Sequence, residues 1–69
     1  MKNITYKFAL RELVKTIVGK RDTKSYHAQR KGSIGTIMSR GLSLNKPMYW
    51  IRFKNNHEEW YYEDEIIIW

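Results

Sequence analysis

This 69-residue sequence predicts a mostly β domain of about five short antiparallel strands, and three observations carry the prediction. Residues 48–54 alternate with period two, placing Tyr49, Ile51 and Phe53 on one face and Trp50, Arg52 and Lys54 on the other. Polar turn residues, Asn55-Asn56 and Glu63-Asp64-Glu65, cut the C-terminal half into runs too short for helices. Those runs are dense in β-branched and aromatic side chains, ending in Ile66-Ile67-Ile68-Trp69.

Residues 4–18 carry two patterns. Leu10, Leu13, Val14, Ile17 and Val18 fit the i, i+3, i+4, i+7, i+8 spacing of a short N-terminal helix, with Gly19-Lys20-Arg21 as its stop. Leu13–Val18, with four β-branched residues in six, fits a strand. The strand is preferred, because the chain downstream is rich in β signals. Residues 19–33 form a long polar loop, and a loop of that length in so small a domain is usually functional or partly disordered. Ile34–Ser39 is the next strand, and Arg40–Pro47 reads as a connection. Pro47, the sole proline, has no N–H for a ladder and belongs at the start of a strand. Met48–Lys54 is the clearest strand. Asn55-Asn56 turns it back, since Asn tolerates positive φ. Glu58–Glu63 returns with Trp60 and Tyr62 on one face and Tyr61 on the other. Ile66–Trp69 is last, apolar on both faces, and must be paired or covered.

The length allows one domain, residues 1–69, with a small core. Ten aromatic rings, three Trp, five Tyr and two Phe, supply much of it. Without cysteine there is neither a disulfide framework nor a thiolate zinc site. No apolar run approaches the ~20 residues of a membrane span, and Met1-Lys2-Asn3 is no signal-peptide core. The expectation is a soluble, cytoplasmic protein that uses no cofactor. Charge is divided along the chain. Residues 1–54 hold all thirteen Lys and Arg against Glu12 and Asp22, a formal +11, and residues 55–69 hold five acids and no cation, a formal −5. The net +6 implies a positive field and an anionic partner.

The layout resembles the SH3-like small β-barrels. The residues that carry the resemblance are Leu13-Val14-Lys15-Thr16-Ile17 as first strand and Lys24-Ser25-Tyr26 in the first long loop. Gly32-Ser33-Ile34-Gly35-Thr36-Ile37 comes next as second strand and Tyr49-Trp50-Ile51-Arg52-Phe53 as third. Trp60-Tyr61-Tyr62, then Glu63-Asp64-Glu65-Ile66, resembles a fourth strand, a short helical turn and a fifth strand. Similar layouts occur in KOW and Tudor-type modules, in small electron-transfer accessory subunits such as photosystem I subunit IV, and in short phage-type proteins. The resemblance covers about residues 12–69, implies a barrel, and leaves residues 1–11 outside it as an extension: an extra strand, a helix or a tail. It implies no specific function, because such barrels host many. Neither a Tudor aromatic cage nor the peptide-binding residues of signalling SH3 domains are present.

The cations and rings suggest two candidate binding sites. In the first loop, Lys20, Arg21, Lys24, Arg30 and Lys31 would clamp phosphates, with Tyr26 stacking on a base. The plainer reading, which is preferred, is a solvated loop with Tyr26 folded back on the barrel. On the third strand, Trp50, Arg52 and Lys54 would form an outward platform of ring and charge for single-stranded nucleic acid or for a protein partner. The competing readings are that Trp50 covers a loop or the N-terminal segment, or that the strand faces inward the other way. Glu58, Glu59, Glu63, Asp64 and Glu65 read as turn and strand acids rather than as a metal site. His27 and His57 are isolated, no serine sits in a nucleophile elbow, and Gly32-x-x-Gly35 is no phosphate loop. The expectation is a non-enzymatic module that binds nucleic acid, with an adaptor docking on an acidic protein as the alternative. Self-association through the Ile66–Trp69 edge is a third expectation.

Overall fold

The β-branched and aromatic runs become strands in the computed structural model, which describes residues 4–21 and 28–69 and, of Lys20, Arg21, Ala28 and Gln29, the backbone alone. In chain order they are β1 (Leu13–Thr16), β2 (Lys20–Arg21), β3 (Ala28–Gln29), β4 (Ile34–Ser43), β5 (Lys46–Phe53) and β6 (Glu58–Tyr62), then a 3-10 turn (Glu63–Glu65) and β7 (Ile66–Ile68). Five strands join in one antiparallel sheet of order β6-β5-β4-β1-β7, and β2 pairs with β3 in a separate ribbon. The sheet is open, with β6 and β7 at its edges.

The alternation in β5 sorts its side chains as expected. Tyr49, Ile51 and Phe53 are buried and join Phe8, Val14, Ile37, Tyr61 and Ile66 in one core. Gly35 pairs opposite Phe53 where β4 and β5 join. A Cβ there would fall 2.5 Å from Ile51 Cγ2 and 2.8 Å from the Arg52 carbonyl, so the strand pairing itself requires glycine.

Three expectations need correction, while the strand preferred for Leu13–Val18 is observed and the alternative helix is absent among the described residues: Leu13–Thr16 is strand, and residues 10–11 make a turn in which Arg11 takes φ 71°. Alternation decides it, because Val14 and Thr16 face the core while Leu13 and Lys15 face out. Residues 4–12, moreover, are no loose extension. Phe8 is buried at 1% exposure, its ring edge-on to Tyr49 at 5.3 Å, and Tyr6 packs on the same ring at 6.0 Å. Burying a phenylalanine contributes about 1.5–3 kcal/mol, a large share in a domain this small.

The second correction concerns residues 40–47, which are not a connection. β4 continues to Ser43, and Leu44-Asn45 alone turns the chain into β5. Both turn residues have positive φ, 52° and 63°, the backbone whose twist matches a two-residue hairpin. Asn45 suits that conformation and Leu44 does not, so the turn was hidden. Pro47 accordingly lies second in β5, opposite Leu42, one residue beyond the stretch of β5 that pairs with β6. Third, the polar loop 19–33 is not loop throughout, since Lys20 pairs with Gln29 and Arg21 with Ala28.

Candidate nucleic-acid interface

Because Tyr49, Ile51 and Phe53 point into the core, the other parity of β5 points out. Met48, Trp50 and Arg52 lie on the outer face, with Lys54 exposed just past the strand. The Asn55-Asn56 turn, with Asn56 at φ 63°, sets the β5–β6 register. That register places Trp60 opposite Trp50, Tyr62 opposite Met48 and Glu58 opposite Arg52. Two indoles therefore meet, their centroids 5.2 Å apart and their planes inclined by 55°. Gly41 in β4 leaves room for the far edge of Trp60, whose ring carbons would lie 3.4–3.5 Å from a Cβ there. Lys46 Nζ stands 5.9 Å over the Tyr62 ring, and the Tyr62 hydroxyl donates to Ser43 Oγ at 3.3 Å.

Glu58 is the one acid that the outward parity of β5 and β6 provides. It accepts from Trp50 Nε1 at 2.6 Å and pairs with Arg52 at 3.5 Å. Arg52 is half exposed, so this ion pair is a weak one. The indole bond holds Trp50 half-buried, with one ring edge committed to the protein. Beyond Arg52 the outer surface continues as a shallow groove lined by Leu13, Ile34, Thr36, Arg52 and Lys54. Further out, Lys15 Nζ sits 5.1 Å from the exposed ring of Trp69.

Most of the remaining acids serve the scaffold. Glu63 Oε2 accepts the Tyr49 hydroxyl at 2.5 Å and the Lys7 N–H at 3.0 Å. Tyr49 Oη in turn accepts the Phe8 N–H at 3.2 Å. Burial first, and then the bond to Glu63, push the Tyr49 phenol up to about 12. Burial, with the charges of Glu59 and Glu65, pushes Tyr61 to about 12 as well. Glu65 accepts the Tyr62 N–H at 2.7 Å, Glu12 the Ala9 N–H at 2.8 Å and Glu59 the Trp60 N–H at 3.0 Å. Among the described residues, no three His, Asp or Glu side chains gather to hold a metal ion.

The expected loop site divides. Arg30 and Lys31 are exposed, Lys20 and Arg21 lie in β2, and Lys24 and Tyr26 fall outside the described residues. The expected strand platform gains neighbours that sequence reasoning left out: Trp60, Tyr62, Lys46 and Glu58. The signal for the first two was the hairpin register, readable from a two-Asn turn. The signal for Lys46 was hidden with the Leu44-Asn45 turn. Among the described residues no helix is long and apolar enough to cross a membrane. Compared with known proteins, the chain matches no family model, no curated protein and no solved structure.

Proposed function

We propose that this protein is a non-enzymatic module that binds nucleic acid through the outer face of β5 and β6. The observation that carries the reading is the composition of that face: the rings of Trp50, Trp60 and Tyr62 beside Lys46, Arg52 and Lys54, with Glu58 as its acid. Aromatic rings accept stacked bases of any sequence, and the cations track the phosphates. Arg30 and Lys31 are exposed and add to the cations available to a polyanion; the sequence candidates Lys20, Arg21, Lys24 and Tyr26 would add to them. The net charge of +6 draws such a polyanion at long range. The fold reading that accompanies this is an SH3-like barrel. Its support is the strand order, the 3-10 turn between β6 and β7, and the register shift at Ile37/Ser39 that lets β4 bend.

Titration of the intrinsic tryptophan fluorescence with short DNA and RNA strands tests the function. Three phosphate contacts predict log Kobs falling with log salt at a slope of about −2 on single strands. No affinity at low ionic strength, or affinity indifferent to salt, refutes the proposal. A second reading, an adaptor docking this basic face on an acidic protein, has support in the same excess of Lys46, Arg52 and Lys54 over Glu58. It predicts a complex with one defined protein that survives nuclease treatment.

A further inference from the structure

The tip of the β4–β5 hairpin breaks two rules at one residue. Leu44 is 87% exposed, the most exposed large apolar side chain among the described residues, and Leu42 beside it is 52% exposed. Leu44 also holds φ 52°, a left-handed conformation that Asn or Gly fills more comfortably. No ladder rung ties the tip to the strands on either side. β1 pairs with β4 only from Ile34 to Thr36, and β6 pairs with β5 only from Met48 to Arg52. The rungs Leu42↔Pro47 and Ser43↔Lys46 therefore stand beyond both neighbours. Tyr62 braces the ribbon just below the turn through Ser43. Residues 40–47 contain Arg40 and Lys46 and no acid, and Arg40 is held against the Tyr6 ring at 4.8 Å.

We propose that this ribbon enters a groove of duplex DNA and that Leu44 wedges into a base step. The inference rests on the nucleic-acid reading above and adds the duplex, and its local unstacking, as the target. A two-stranded ribbon is narrow enough for a groove, and apolar side chains pressed between base pairs kink a duplex when flanking cations hold the backbone. Lys46 and Arg40 are those cations, one on each strand of the ribbon. Exposing a leucine in a strained turn gains nothing for the isolated fold, whereas a protruding apolar tip is what insertion requires.

The test compares wild type with Leu44→Asn on a short duplex carrying 2-aminopurine at successive positions. Asparagine fits φ 52°, so the variant keeps its hairpin, and circular dichroism checks this. Wild type is expected to raise 2-aminopurine emission severalfold on binding. Leu44→Asn is expected to bind with an unchanged salt slope, several-fold weaker, and to leave the emission at the free-duplex level. Equal emission from both proteins overturns the wedge while leaving the nucleic-acid reading intact. No binding of wild type to any strand or duplex at low salt overturns both. Leu44-dependent binding to phosphatidylglycerol vesicles in preference to DNA overturns the wedge in favour of a lipid surface.

Discussion

Tyr49→Phe removes one oxygen and is expected to unfasten the N-terminal segment. The Tyr49 hydroxyl donates to Glu63 Oε2 at 2.5 Å and accepts the buried Phe8 N–H at 3.2 Å. Phenylalanine fills nearly the same volume, so the packing contribution of the ring is kept. A hydrogen bond to a charged group contributes about 1.5–3 kcal/mol net, and a buried N–H left without a partner costs about 1–3 kcal/mol. The two losses overlap, since the segment can shift to recover water, and we expect about 3 kcal/mol. A domain of this length has roughly 3–10 kcal/mol to lose, so the variant should sit near the edge of folding. Each 1 kcal/mol moves Tm by about 4–8 °C in so small a domain, giving a fall of roughly 12–24 °C. Urea unfolding followed by tryptophan fluorescence gives the free energy, and amide exchange at Lys7 and Phe8 gives the location. Glu63→Gln keeps an acceptor but loses its charge, and should cost about half as much. A Tyr49→Phe protein within about 0.5 kcal/mol of wild type, with Phe8 still protected, refutes the reasoning.

Alkaline pH should release the same lock. Tyr49 and Tyr61 have folded pKa values raised to about 12 from an ordinary 10, so their stabilising contribution is whole below pH 10 and lost as pH rises towards 12. Urea midpoints at about pH 9, 10 and 11 should be level and then fall, and a midpoint that rises across that interval contradicts the burial argument. Gly35→Ala should destabilise by about 2–3 kcal/mol or prevent folding, because its methyl group meets Ile51 at 2.5 Å and an immobile carbonyl at 2.8 Å; an unchanged urea midpoint speaks against that close approach. Glu58→Gln removes the acid beside Arg52 and should tighten nucleic-acid binding about three- to tenfold at low salt. Fluorescence titration measures it, and weaker binding by this variant counts against the outer face as the interface.

What was legible in the sequence was whatever obeyed period two. The inward set Tyr49, Ile51 and Phe53, the outward set Trp50 and Arg52, the return strand and the last strand are visible because alternation and turn residues agree there. What was hidden lay where a single residue contradicts its backbone. Leu44 occupies a turn position that favours Asn or Gly, so the β4–β5 hairpin read as a connection and Lys46 was separated from the platform it flanks. Phe8 was missed for a different reason. Its partner is Tyr49, 41 residues away, and through it Glu63, more distant still; no local pattern encodes contacts that long. The opposition of Trp50 and Trp60 lay between these cases: the turn implied it, but only a fixed register shows that two rings meet.

The charge asymmetry of the chain takes a physical meaning from these contacts. Acids cluster after residue 54 because that stretch supplies acceptors: Glu63 to a phenol and an N–H, Glu65 to the N–H before the 3-10 turn, Glu59 to the Trp60 N–H, and Glu58 to an indole. Among the described residues, cations spread over the rest of the chain meet rings more often than carboxylates. Lys7 stands 5.5 Å over Phe8, Lys15 over Trp69, Arg40 over Tyr6 and Lys46 over Tyr62. A cation over a ring keeps its full charge towards solvent, whereas one in a close ion pair does not. Neutralising the acids should therefore be read mainly as stability, and neutralising the cations mainly as binding. Glu58 is the position where the two roles cross, because it both steadies Trp50 and shields Arg52.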